Sequence, residues 1–319
     1  MKLQSLFPFM NWLPNVTKGS LRADLLAAIT GAVIVLPQGV AYAFIAGMPP
    51  EYGLYSAMIV SVLASMFGSS KHMITGPAAA ISIVVMSAAS GYSTSGAMTP
   101  DFISTVITLT FMVGAIQLAM GLARLGNLVN FISHTVVIGF TSGAAILIAA
   151  SQLKHLFGIP VPDGLSFIAG LEVVLSELGD INPYSLAIGL STLISAILVK
   201  KFLRGWPHLL IGMLVGSVVC FVLDGEQQGI ALVGALPGTL PPFGLPDLSL
   251  ESLSALGSGA FAIALLGLIE AVSIARAIAV RSGQRIQGNQ EFIGQGLGNF
   301  IGSFFSCFAG SGSFTRSGA

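Results

Sequence analysis

Nine apolar stretches follow one another along this chain, most of them close to the length of a bilayer crossing, and almost no charge falls inside them. They cover about 25–46, 53–68, 77–91 (a short one), 102–122, 128–151, 183–199, 208–223, 253–275 and 292–309, and a tenth begins at Ser313. In hydrocarbon every backbone N–H and C=O must find its partner within the protein, and a run of roughly 20 apolar residues manages this as a helix. A series of such runs points to one fold class, an all-α polytopic membrane protein. Composition agrees, since 8% of the 319 residues are charged and 54% are hydrophobic, whereas a soluble domain carries about a quarter charged residues. The 39 glycines suit closely packed membrane helices. Several fall at small-xxx-small spacing, as in Gly139/Gly143, Gly212/Gly216 and Gly294/Gly298/Gly302. Residues 163–179, where apolar positions alternate with Ser and Glu, read as a helix lying in the interface.

Charge placement gives an independent reading of the topology. With the N-terminus in the cytoplasm, eleven of the 13 Lys and Arg residues fall inside, from Lys2, Lys18 and Arg22 through Lys200 and Lys201 to Arg276, Arg281 and Arg285. Lys154 falls outside and Arg316 lies at membrane depth. Acids such as Glu51, Asp101, Glu172, Asp224 and Asp247 sort to the outer side. This is the positive-inside pattern of a multi-pass protein of the inner (plasma) membrane. Residues 1–17, broken by Pro8 and Pro14, do not form the apolar core of a cleaved signal. Zero net charge argues against nucleic acid as a partner. Cys220 and Cys307 sit in separate apolar runs without metal-ligand spacing. There is no Walker loop, catalytic triad or carboxylate pair, so the expected protein is not an enzyme and uses no cofactor and no metal.

Two segments break the apolar pattern from within. Thr75-Gly76-Pro77-Ala78-Ala79-Ala80 and Gly310-Ser311-Gly312-Ser313-Phe314-Thr315-Arg316-Ser317 each open with residues that do not continue a helix, and each then resumes one. A helix that begins inside the membrane presents unpaired N–H groups and the positive end of its dipole to whatever faces it. Pro77 suits a first helical position, because its missing N–H would have had no partner there. Ala78 and Ala79 are small enough for a ligand to reach the backbone. Ser313 and Thr315 offer caps and hydroxyl donors, with Phe314 between them, and Arg316 adds a full positive charge. Paired discontinuous helices of this kind mark a secondary transporter's binding site, and here they describe an anion site.

Three more side chains join the candidate site. Gln38 and Tyr42, four residues apart in the first span, share a helix face and can donate to an anion without adding charge; the alternative is hydrogen bonding between helices. Glu270 is the one acid inside an expected span. Burial makes its charged form costly, so it is a candidate proton carrier. Its alternatives are an ion pair with Arg316 or a reach to the cytoplasmic interface.

These motifs carry a family resemblance. Leu36-Pro37-Gln38-Gly39-Val40-Ala41-Tyr42-Ala43, Pro49-Pro50-Glu51-Tyr52-Gly53-Leu54-Tyr55 and Gly76-Pro77 resemble the sulfate permease (SulP) family, the solute carrier 26 anion transporters. So do Gly288-Asn289-Gln290-Glu291-Phe292-Ile293-Gly294 and the run from Ser311 to Ser317. The resemblance implies a fourteen-helix, UraA-like fold of two inverted seven-helix repeats, with discontinuous helices 3 and 10 and an elevator-like core moving against a gate. Residues 1–24 would be a cytoplasmic segment, 25–225 the first repeat, and 226–319 the start of the second, through helices 8 and 9 into helix 10. The remaining helices and a STAS domain would lie in a longer parent, and the chain by itself is expected to be inactive. The family further implies a homodimer, Arg316 beside the central anion site, and Glu270 in proton coupling. The expected activity is proton symport of an inorganic anion, with sulfate as the family default. Bicarbonate or dicarboxylate transport, anion exchange and a passive anion channel are the alternatives.

Overall fold

Helices occupy every one of these apolar stretches, and residues unsuited to a helix interior set their ends. The computed structural model describes residues 8–92, 96–126, 134–161, 167–203, 206, 208–230, 232 and 238–317. After a helical turn at Phe9–Trp12 come α1 (Lys18–Ile45), α2 (Pro50–Phe67), α3 (Ala79–Ser90), α4 (Pro100–Leu122) and α5 (His134–Phe157). They are followed by α6 (Phe167–Ser176), α7 (Pro183–Phe202), α8 (His208–Val222), α9 (Leu250–Ser282), α10 (Gly288–Ser303) and the short α11 (Phe314–Ser317). Two two-residue strands, β1 (Thr75–Gly76) and β2 (Ser311–Gly312), complete the set. Helices α1, α4, α7 and α9 are long and apolar enough to cross a bilayer. The helix of the expected interfacial segment is α6, while residues 163–166 lie outside the described residues, as do 128–133 before α5.

The helix starts follow the chemistry of their first turns. Thr17 and Ser20 form a reciprocal capping box that begins α1 at Lys18, so Arg22 and Asp24 lie one turn inside it. Thr99, Asn182 and Ser249 cap α4, α7 and α9 through their side chains. Pro50, Pro100 and Pro183 occupy first helical positions, where a missing N–H costs nothing. Helix α10 stops at Ser303, six residues short of the expected span end at 309. The chain turns there through Ser306 at φ 57 and runs extended into β2.

The chain divides into two compact units. The first comprises residues 1–31, 38–141 and 237–319. Within it α10 packs closely on α4 and α2 because glycines remove the side chains that would hold the backbones apart. A Cβ on Gly114 would stand 2.2 Å from the Phe300 nitrogen, and one on Gly294 2.7 Å from the Gly68 nitrogen. The apolar core between α3, α4 and α9 includes Ile81, Val85, Phe102, Val106, Leu109 and Ile263. An extended segment, residues 238–249, is pinned to the same unit. Gly244 donates its N–H to the Phe304 carbonyl at 2.9 Å, the Ser306 hydroxyl donates to the Pro242 carbonyl at 3.0 Å, and the Phe243 ring stacks on Phe304.

The second unit comprises residues 32–37 and 142–236. Helices α7 and α8 lie together at Gly212 and Gly216, whose faces meet Ala196 and Thr192. Asn182 caps α7 and also donates to the Gln228 carbonyl at 2.9 Å. Leu193, Ile194, Ile197, Phe221 and Val222 are exposed on these helices, as lipid-facing side chains are. Of the small-xxx-small pairs expected to make helix contacts, Gly139/Gly143 meets nothing within 4 Å among the described residues.

Candidate functional site

The two interrupted segments meet inside the first unit. Strands β1 and β2 pair antiparallel, Thr75 opposite Gly312 and Gly76 opposite Ser311. The pairing extends on one side, where Ser313 donates its N–H to the Ile74 carbonyl at 3.0 Å and Ile74 donates its own to the Ser317 hydroxyl at 2.8 Å. The two arms can approach this closely only as glycine. A Cβ on Gly310 would stand 2.6 Å from the Gly76 oxygen, and Gly76 itself has φ +146, a conformation that side chains rarely adopt.

This pairing corrects the expectation for Pro77. Pro77 is not the first residue of a helix, because α3 begins two residues later at Ala79, with the extended Ala78 as its N-cap. Pairing with Ser311 and Gly312 holds the preceding residues extended, and the chain turns helical only once that hold ends. The Pro77 carbonyl is left facing the other arm, where it accepts from Arg316. No side chain caps α3, so the first-turn N–H groups after the buried Ala78 and half-buried Ala79 have no side-chain partner.

Arg316 is 3% exposed. Its Nη2 donates to the Pro77 carbonyl at 2.7 Å, while Nε and Nη1 are buried without a hydrogen-bond partner among the described residues. It lies within electrostatic reach of Tyr42 and of Glu270. Glu270 sits midway along α9 with Oε2 buried and unpartnered. Gln38 and Tyr42 are half-buried on the C-terminal part of α1, and the Gln38 Oε1 is likewise buried and unpartnered, as is the Ser82 hydroxyl on α3. Ser313 is buried at the entry to α11, whereas the Phe314 ring is more than half exposed. Thr315 is part of α11, and its side chain lies outside the described side chains. A buried cation with two free donors, beside an uncapped helix start and an acid, is chemistry for an anion and a proton. Among the described residues no three His, Cys, Asp or Glu side chains gather as a metal set.

Sequence reasoning missed the side chains that hold the arms. On α10, Gln295 donates from Nε2 to the Thr75 hydroxyl at 2.9 Å. One turn on, Asn299 exchanges two hydrogen bonds with the Gly310 backbone at 2.9 and 3.0 Å and donates to Gln117 Oε1 at 2.8 Å. Ser61 donates to the Thr75 carbonyl at 2.5 Å, and Ser311 to the Gly267 carbonyl at 2.9 Å. Glu291, one residue before the expected ninth span, is buried and accepts at one oxygen from the Ser69 N–H, the Ser69 hydroxyl and the Ser70 N–H at 2.7, 2.6 and 2.6 Å. The available signal was two amides at i, i+4 in Gly-Gln-Gly-Leu-Gly-Asn, in a segment otherwise apolar and glycine-rich.

The profile of the sulfate permease family matches residues 21–319. Sulfate transporter 2.1 of Arabidopsis thaliana is 32% identical over 327 residues, covering 98% of the chain and 48% of that relative. The sodium-independent sulfate anion transporter of Bos taurus is 32% identical, covering 98% of the chain and 56% of the relative. The chain thus spans about half the length of these relatives. Among solved structures, the murine solute carrier 26 family member A9 anion transporter in its inward-facing state aligns with a TM-score of 0.88 at 25% identity, over 99% of the chain and 55% of that protein. The transmembrane domain of a cyanobacterium bicarbonate transporter aligns with a TM-score of 0.82 at 26% identity, over 95% of the chain and 77% of that domain.

Proposed function

Because the chain belongs to the sulfate permease family, we propose that it carries the anion site of a secondary active transporter, with sulfate as substrate and a proton as the coupling ion. The observation that carries the reading is the buried guanidinium of Arg316, with Nε and Nη1 unpartnered. A buried guanidinium with unsatisfied donors costs several kcal/mol, and a bound anion lowers that cost. The anion sits in front of the uncapped start of α3, against backbone N–H groups, Ser313, Thr315 and Arg316, with Gln38 and Tyr42 completing its coordination.

Charge balance explains how the anion can also leave. One arginine and the partial charge of a helix start, roughly half a unit, attract a divalent anion without fully neutralising it. Glu270 takes a proton on the outer side and releases it inside, so that inward movement is driven by the proton gradient. As the resemblance implies, the first unit is the moving part of an elevator, in a homodimer of the inner membrane with its N-terminus in the cytoplasm.

Uptake of labelled sulfate into proteoliposomes holding the longer parent protein that the resemblance implies, with and without an inward proton gradient, tests the reading in the wild type and in Glu270→Gln. Uptake that rises with the gradient and loses that response in Glu270→Gln is the expected result. Gradient-independent uptake that survives the substitution overturns proton coupling in favour of exchange or a channel. Sulfate uptake indistinguishable from protein-free vesicles overturns sulfate as the substrate, and bicarbonate and dicarboxylates are then the anions to assay.

A further inference from the structure

The two arms that cross at the candidate site are gripped from the same side by one helix. Gln295 and Asn299 stand one turn apart on α10, at 1% and 0% exposure. Gln295 holds the first arm through the Thr75 hydroxyl, and Asn299 holds the second through both backbone groups of Gly310. The Asn299 amide behaves as a strand neighbour, since it accepts the Gly310 N–H and donates to the Gly310 carbonyl. Without it those two groups would be buried where β1 offers them nothing, because the strand pairing begins at Ser311. Asn299 is braced in turn by Gln117 of α4, whose Nε2 donates to the Ala264 carbonyl of α9 at 3.3 Å. A polar relay therefore runs from α9 through α4 and α10 to the arm that ends in Arg316.

We propose that Gln295 and Asn299 are positioning residues of the anion site. They touch no ligand; they set the separation and register of the two arms, and so fix where the Arg316 guanidinium stands relative to the start of α3. This rests on the reading of Arg316 as an anion contact. The lever is short, since Gly310 is six residues from Arg316 and Thr75 is two from Pro77, the carbonyl that orients the guanidinium. Buried polar groups at such a distance govern site geometry when their partners are fully satisfied. Here Asn299 satisfies both of the Gly310 groups, whereas Gln295 reaches the Thr75 hydroxyl through Nε2 and its Oε1 is buried without a partner among the described residues.

The test uses the longer parent protein that the resemblance implies, and measures its sulfate affinity once purified, KM and kcat for sulfate uptake, and the unfolding midpoint of each preparation. Gln295→Met keeps volume and removes the bond to Thr75, and Asn299→Asp keeps the acceptor for the Gly310 N–H but loses the donor. The expected outcome is a rise of tenfold or more in Kd and KM for both, with kcat within about twofold of wild type and sulfate-free unfolding midpoints that do not track the loss of affinity. Asn299→Ala is expected to fold poorly, and so the inference is judged on the other two. Unchanged Kd and KM in folded Gln295→Met and Asn299→Asp overturn the positioning role if Arg316→Ala abolishes binding in the same assay. Sulfate affinity that survives Arg316→Ala overturns the reading of the site itself, and the positioning role with it.

Discussion

Arg316 Nη2 donates to the carbonyl of Pro77 at 2.7 Å, so a cation on one arm is oriented by a backbone oxygen on the other. A carbonyl can aim a guanidinium without neutralising it. Had a carboxylate taken that place, the charge would be spent; with a carbonyl it remains available, and Nε and Nη1 are free to meet a ligand.

Arg316→Ala is accordingly expected to abolish sulfate binding, and Arg316→Lys to weaken it. Lysine keeps the charge but cannot both reach the Pro77 carbonyl and present two further planar donors. Loss of one charge-assisted hydrogen bond is about 1.5–3 kcal/mol, so Arg316→Lys should raise Kd by about tenfold or more. Isothermal titration with sulfate checks this, and equal affinity in wild type and Arg316→Lys would count against the geometry.

Gly310→Ala should destabilise the fold by about 1–3 kcal/mol, as overpacking does, because the new methyl would stand 2.6 Å from the Gly76 oxygen. Gly31→Ala in α1, where nothing among the described residues lies within 4 Å, is the matched control and should be neutral or stabilising by up to about 1 kcal/mol, because alanine is the better helix former. Unfolding midpoints of the two solubilised variants give the comparison. Similar midpoints would mean that the arms do not approach as described.

Glu291→Ala should cost about 2–3 kcal/mol, since it strands the Ser69 and Ser70 donors that converge on one carboxylate oxygen. Glu291→Gln retains an acceptor oxygen and should lose less than Glu291→Ala. Hydrogen exchange at the Ser69 and Ser70 amides reads the effect locally, with faster exchange expected in Glu291→Ala.

A fourth expectation concerns acid. Asp247 is held below the usual carboxylate range by the Ser252 hydroxyl first, then by the Ser249 N–H and hydroxyl. The folded state thus favours the ionised form, and this contribution to stability is fully present above the ordinary carboxylate pKa. It is lost as pH falls through the lowered folded value. The gap in unfolding midpoint between wild type and Asp247→Asn should therefore be constant near neutrality and close below about pH 4. A gap that stays open in acid would remove Asp247 as its source.

The helices were legible because hydropathy is a property of single residues summed over a window, and the interruptions because Gly-Pro and Gly-Ser announce themselves. Pro77 was misplaced by two residues because the force that keeps it extended comes from Ser311 and Gly312, more than two hundred positions away. The end of α10 was overrun for the same reason: residues 304–309 are as apolar as a helix, and Asn299 draws Gly310 out of it. Gln117, Gln295 and Asn299 carry no such signal, because an amide in a membrane helix gives no sign of which backbone it will meet. Fold class lies in local composition, whereas the brace of the site lies in pairings that a one-dimensional pattern does not carry.

The pairing of Thr75 with Gly312 also has a consequence for how the protein is made. The ribosome adds the second partner 312 − 75 = 237 residues after the first, a wait on the order of tens of seconds at 5–20 residues per second. Throughout that interval the Thr75–Gly76 backbone has been synthesised and its strand partner has not. Whatever shelters those two polar residues during insertion, whether water held by the translocon or a neighbouring helix, must later give way to β2. The site therefore closes only after α3 to α10 have all been synthesised.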